Sequence, residues 1–220
     1  VKDGLWAVAR DRLRAGREVA ALAAGRDSKA TIEAFASVQV ALSSLDRLEV
    51  RGRDSAGLQL YLTNAAVDPA DPETRARIDA RAADPLFRSG GVRVPAPGAI
   101  VFVYKAAAEI GELGDNVAQL RAAITADVLL HDALEGRDAL ESSEPRMVVL
   151  GHTRWASVGI ISEANAHPLN HEELAVGPDP LAPISSSSGP YAAAVLNGDV
   201  DNYLDLVAQH DFMERVRRIA

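Results

Sequence analysis

The feature that most constrains the fold is a change of hydrophobic period along the chain. Residues 4–24 carry apolar side chains at Leu5, Val8 and Leu13 among Ala and Arg, which predicts an amphipathic helix. Asp27-Ser28 is a helix-capping pair, and the stretch after it places Ile32, Phe35, Val38, Val40, Leu42 and Leu45 at helical spacing up to about Glu49. Gly52 breaks that helix. From Gly57 the period changes. Gly57-Leu58-Gln59-Leu60-Tyr61-Leu62-Thr63 alternates apolar and polar residues, as a half-buried strand does. Ile100 to Tyr104, Met147 to Leu150 and Ala192 to Leu196 are further strand candidates, the last buried and ending at Asn197-Gly198.

Between them, Gly114-Asp115 opens a helix expected to run to about Leu134, and Asp199-Val200-Asp201 precedes a last helix. Residues 64–98 look like an insertion, with a charged helix around 72–83 and then a Gly-Gly and Pro loop. Residues 172–190, with four consecutive Ser, are expected to form a second inserted surface loop. Strands and helices are mixed without regular alternation, and no phosphate loop, dinucleotide fingerprint or internal repeat is present. The expected class is therefore an α+β layered fold in a single domain spanning residues 1–220.

A net charge of −8 argues against nucleic acid or an anionic membrane surface as partner. No apolar run reaches membrane-spanning length and the start shows no signal-peptide pattern, so a cytoplasmic location is expected. The chain has no Cys, which removes disulfides, thiolate metal sites and any cysteine nucleophile within these residues.

Three segments carry candidate chemistry: Arg51-Gly52-Arg53-Asp54-Ser55-Ala56-Gly57; Gly151-His152-Thr153-Arg154-Trp155-Ala156-Ser157-Val158-Gly159, followed by Asn165-Ala166-His167-Pro168; and Leu196-Asn197-Gly198. Arg154 can bind a carboxylate through two parallel hydrogen bonds, with Trp155 as a neighbouring wall. The plainer alternative pairs Arg154 with a structural Asp and puts Trp155 in the core. Asn197-Gly198 is most simply a tight turn; alternatively its side-chain amide and backbone N–H converge as an oxyanion site. Arg51 and Asp54 could simply form a local ion pair. His167 and His171 are too poorly supported by nearby carboxylates, and too constrained by Pro168, to suggest a metal site.

Taken in order, these segments resemble the signatures of class II glutamine amidotransferases, most closely the glucosamine-6-phosphate synthase family. The resemblance covers about residues 29–63 and 100–209 and leaves 1–28 as an extra N-terminal helix. It implies an N-terminal-nucleophile hydrolase fold: a four-layer αββα sandwich of two antiparallel sheets between helices. It implies hydrolysis of the glutamine side-chain amide, with ammonia passed to a C-terminal phosphosugar isomerase domain or subunit. Arg154 would bind the α-carboxylate of glutamine, and Trp155, Ser157 and His167 would complete the pocket. Asn197 and Gly198 would form the oxyanion hole, and Arg51 and Asp54 would support the segment bearing the nucleophile. No cofactor or metal is expected, and a homo-oligomer is.

The sequence departs from that pattern in several places. The Cys is missing, and Val1 offers no substitute. A Cys-containing strand before Val1 in the native gene is the preferred expectation. The alternative is a catalytically inactive glutamine-binding or scaffolding module. A glutaminase serving another acceptor, such as a purine precursor or asparagine, is a weaker third. Ser157-Val158 stands where a Thr-His pair is usual, Leu196 replaces a His, and no residue near His210-Asp211 matches the acidic ligand of the glutamine ammonium.

Overall fold

The computed structural model describes residues 1–82, 89–108, 112–135, 144–156, 159–170, 191–198 and 200–219. The first helix is continuous through α1 (Lys2–Trp6), a wider π-helical stretch (Ala7–Arg12) and α2 (Leu13–Ala23). It ends where Ala24 takes a left-handed conformation, φ 51°. Ser28 then caps α3 (Lys29–Leu48), its side chain accepting from the Thr31 N–H at 3.2 Å.

Four strands form one antiparallel sheet in the order β2 (Val92–Ala96), β3 (Ala99–Ala106), β1 (Ser55–Thr63), β4 (Arg146–Arg154). One face carries Leu58, Leu60, Leu62, Ile100, Phe102 and Tyr104 and packs against helices. From α3 come Phe35, Val38 and Leu42. Further helical contributors are Leu22 of α2, Ile78 in a helix over Pro72–Ala82, Leu120 and Ile124 of α5 (Asp115–Thr125), and Leu129 and Leu130 of α6 (Val128–Leu134). Each fully buried side chain of this size stabilises the fold by about 1.5–3 kcal/mol.

On the opposite face, Val101 and Val103 pack with Tyr61 and Tyr191, and the Tyr191 hydroxyl donates to Gln59 Oε1 at 3.1 Å. A short antiparallel pair, β5 (Leu169–Asn170) and β6 (Ala193–Ala194), follows Pro168 and Tyr191. The chain is thus a mixed α+β fold with a four-stranded antiparallel sheet and a small two-stranded one. α4 (Pro72–Ala82) precedes β2, and α7 (Tyr203–Ile219) closes the chain.

Several elements differ from expectation. β1 is buried almost throughout rather than on alternate residues, because both faces of the sheet are covered there. The Gly-Gly and Pro stretch contains β2, an edge strand that accommodates Pro95 beside a register shift. The helix expected over 114–134 is two, because Asp127 caps α6 by accepting from the Leu130 N–H at 3.2 Å. β4 runs through to Arg154 instead of ending at Leu150. The strand expected over 192–196 is only Ala193–Ala194, with neither residue buried. The loop expected at 172–190 lies outside the described residues.

Candidate active site

The site is built at the end of the central strands where β1 begins and β4 finishes. Leaving α3, the chain is held against α5. The Glu49 carboxylate accepts from the Gly114 N–H, and Asn116 Nδ2 donates to the Arg53 carbonyl at 2.7 Å. Gly52 passes so close to β4 that a Cβ there would lie 3.0 Å from Thr153 Oγ1 and 3.2 Å from the Arg154 carbonyl carbon. These ties aim Asp54 at the turn after β4. Its N–H donates to the Arg154 carbonyl at 3.2 Å, and its carboxylate accepts from the Ala156 N–H at 2.7 Å. Asp54 therefore clamps the turn through Trp155. The local ion pair between Arg51 and Asp54 does not form; Arg51 is exposed in a single 3-10 turn at Glu49–Arg51.

Register places Lys105, Gly57 and His152 side by side, with Ser55 opposite Arg154 in the next row. Directly opposed residues of an antiparallel sheet share a face. The face opposite the helical core thus displays Lys105, His152 and Arg154 together. His167 closes over them. Its carbonyl oxygen would lie 2.2 Å from a Cβ on Gly57, so only a glycine admits the approach. The His167 and His152 rings stack at 4.8 Å between centroids, tilted by 48°. The His167–Pro168 peptide is cis.

Burial first, then the charges of His152, Arg154 and Lys105, bring His167 down to about 4 from an ordinary 6.5, against a hydrogen bond to the Leu196 backbone that works the other way. Burial also lowers His152. Both rings are therefore neutral at pH 7 and lie beside the side chains of Arg154 and Lys105; the Arg154 guanidinium is of the type that takes a carboxylate through two parallel hydrogen bonds.

Arg154 Nη1 also reaches the Ile160 carbonyl at 3.4 Å, and Asn165 Nδ2 donates to the same oxygen at 3.1 Å, which ties the loop 159–166 to the site. Through the bond to Leu196, His167 reaches the residue before Asn197. Asn197 and Gly198 are exposed, with Gly198 at φ 144°. Trp155 is 70% exposed and so does not fill the core. Ser157 lies outside the described residues, as does His171.

Three residues of this face had no role assigned from sequence. His152 sat inside a singled-out segment. Lys105 interrupts the apolar run of β3 and is only 2% exposed, a mismatch visible in the sequence. Ser55 is fully buried, and its Oγ has no hydrogen-bond partner among the described residues. Among those residues no group of three or more His, Asp or Glu side chains converges on a metal-sized point. No helix among them is long and apolar enough to cross a membrane. Comparisons with family models, with curated proteins and with solved structures find no match to this chain.

Proposed function

We propose that this chain is the substrate-holding part of a glutaminase domain that releases ammonia for amino-sugar phosphate synthesis on a separate phosphosugar isomerase domain. One observation carries the reading. Arg154 and His167 meet on the sheet face over Gly57, and His167 bonds to the Leu196 backbone beside Asn197-Gly198. The motif order described above supports it independently. The fold belonging to this reading is a four-layer αββα sandwich, in which β5 and β6 would be part of the second sheet.

In this proposal the Arg154 guanidinium takes the α-carboxylate of glutamine, and Asp54 keeps Arg154 in place by fixing the turn after it. A thiol from outside these 220 residues, which contain no Cys, attacks the side-chain amide carbon. A free α-amine, with a pKa of about 8, takes the thiol proton and delivers it to the departing ammonia. The tetrahedral oxyanion is held by the Asn197 side-chain amide and the Gly198 N–H. Water then hydrolyses the thioester to glutamate.

The absence of Cys favours a second reading: a module that binds glutamine or glutamate without turnover. Glutaminase assays on the full-length gene product separate the two. Turnover is expected, and Arg154→Ala should lower kcat/KM by about 30- to 5,000-fold, equivalent to roughly 2–5 kcal/mol, because the substrate carboxylate loses its charged partner. Binding of glutamine without turnover would establish the second reading. Equal activity in wild type and Arg154→Ala would remove Arg154 from the site.

A further inference from the structure

On the helical side of the sheet, a cavity of about 710 Å³ opens between α4, the segment Ser89–Gly91, β3 and the junction of α5 with α6. Its volume is in the range of sites that take small molecules. Small residues make the room: Ala80, Ala123 and Ala126 on the walls, with Gly90 and Gly91 between them. Val128 and Leu129 complete an apolar side. Tyr104 reaches the cavity from the sheet face that carries the helical core, whereas Arg154, His152 and Lys105 stand on the opposite face. The cavity is thus separate from the proposed glutaminase site. α4 and Ser89 also fall outside the segments that carry the family resemblance.

The polar lining decides which ligand fits. Arg77 and Arg81, one helical turn apart on α4, share a face and both line the cavity. Arg81 is committed: it donates to both Asp127 oxygens and to the Gly90 carbonyl. The acceptors are committed as well. Asp127 receives Arg81, the Tyr104 hydroxyl at 2.6 Å and the Leu130 N–H at 3.2 Å. The Gly91 carbonyl receives the Val103 N–H at 2.9 Å. Arg77 differs. A guanidinium carries several N–H donors in a planar fork, and among the described residues this one makes a single hydrogen bond, from Nη2 to Asp132 Oδ2 at 3.0 Å. Arg26 Nη2 shares that carboxylate from 3.7 Å. The Ser89 hydroxyl, also in the lining, makes no hydrogen bond among the described residues. Donors to spare beside satisfied acceptors suit a ligand rich in acceptors. With one guanidinium on offer and the Asp127 and Asp132 carboxylates close by, a singly charged carboxylate is favoured over a doubly charged phosphate, whose extra charge both aspartates repel.

We propose that this cavity binds a small organic carboxylate: Arg77 and the Ser89 hydroxyl donate to its oxygens, and its apolar body lies on Ala123, Ala126 and Leu129. The bonds among Arg81, Asp127 and Tyr104 fix α4 against α6 and β3 and so set the width of the cavity. The site is independent of the proposed glutaminase chemistry.

Benzoate, a carboxylate with a flat apolar body, tests it on the 220-residue chain. Benzamide serves as the neutral isostere and phenyl phosphate as the doubly charged competitor. Titrations followed by backbone amide resonances should give a benzoate Kd of about 1–10 mM, the strength expected of so small a ligand, with shifts at Gly90, Gly91 and Leu129. Benzamide should bind at least about tenfold more weakly. Arg77→Gln should weaken benzoate at least about tenfold, and Ser89→Ala about two- to fivefold. Ala126→Leu, which fills the cavity from an exposed position, should abolish binding. Absence of benzoate shifts at roughly 50 mM overturns the proposal, as do shifts confined to the surroundings of Arg154. Equal affinity in wild type and Arg77→Gln overturns it too. If Arg77→Gln fails to fold, unchanged affinity in both Ser89→Ala and Ala126→Leu overturns it instead. Benzamide binding as well as benzoate overturns recognition of the charge, and phenyl phosphate binding more tightly than benzoate overturns the carboxylate in favour of a phosphate ester.

Discussion

Gly57 shows how much one missing side chain decides. The chain bearing His167 lies directly on the Gly57 Cα, and an added methyl would meet the His167 oxygen at 2.2 Å and the Tyr104 oxygen at 3.2 Å. Both are backbone atoms and cannot turn aside. Gly57→Ala should therefore lift His167 off the sheet and cost at least about 2 kcal/mol in urea denaturation, above the effect of a typical surface change. Because His167 stacks on His152 and bonds to the Leu196 backbone, the same substitution should disturb both His rings, visible as shifted side-chain resonances. That glycine was legible as part of a motif. Its physical reason, a backbone oxygen from a segment 110 residues later, was not.

Among the elements, the junction of α4, α6 and β3 is tied by several charged hydrogen bonds. Arg81 donates to both carboxylate oxygens of Asp127, at 2.8 and 2.7 Å, and its Nε donates to the Gly90 carbonyl at 2.5 Å. The Tyr104 hydroxyl donates to Asp127 at 2.6 Å, and the Arg81 guanidinium lies 5.5 Å from the Phe102 ring centroid. Asp127 also caps α6. Burial alone would raise the carboxyl, but the hydrogen bonds and charge of Arg81 prevail and hold it below its ordinary value. Burial, and then Asp127, pushes the Tyr104 hydroxyl well above its usual range. Asp127→Asn keeps the shape and removes the charge, leaving Arg81 enclosed without its counter-ion. A loss of about 2–4 kcal/mol is expected in urea denaturation, and Arg81→Met with Asp127→Leu should recover part of it. A loss below about 0.5 kcal/mol would show that the pair contributes little.

For the whole molecule, stability should fall with acid in two stages. His167 has a folded-state pKa of about 4 against an ordinary 6.5, so the unfolded chain takes up its proton first. Its contribution is complete above pH 6.5 and is lost as pH falls from there toward 4. Allowing for its partial exposure, about 1–3 kcal/mol should disappear over that window. Asp127, held below 3.8, contributes above its unfolded pKa and loses that contribution as pH falls further. Urea midpoints measured from pH 7.5 to 3 should show the first slope in wild type and a flattened one in His167→Gln. An unchanged slope in the variant would place the acid sensitivity elsewhere.

The sequence by itself determined the ends of α3 and the strand character of β1 and β3, because period, caps and β-branched runs are local properties. It also marked Arg154, His167, Asn197 and Gly198 as candidates, through their order along the chain. Tertiary structure alone decided that Arg154 shares a face with Lys105 and His152, since register depends on partner strands. It alone decided that Asp54 clamps the turn at Ala156 instead of pairing with Arg51, and that Trp155 faces solvent. Burial of β1 on both faces was hidden for the same reason: alternation reports one covered face, whereas the second cover arrives from Tyr191, 132 residues beyond Gln59.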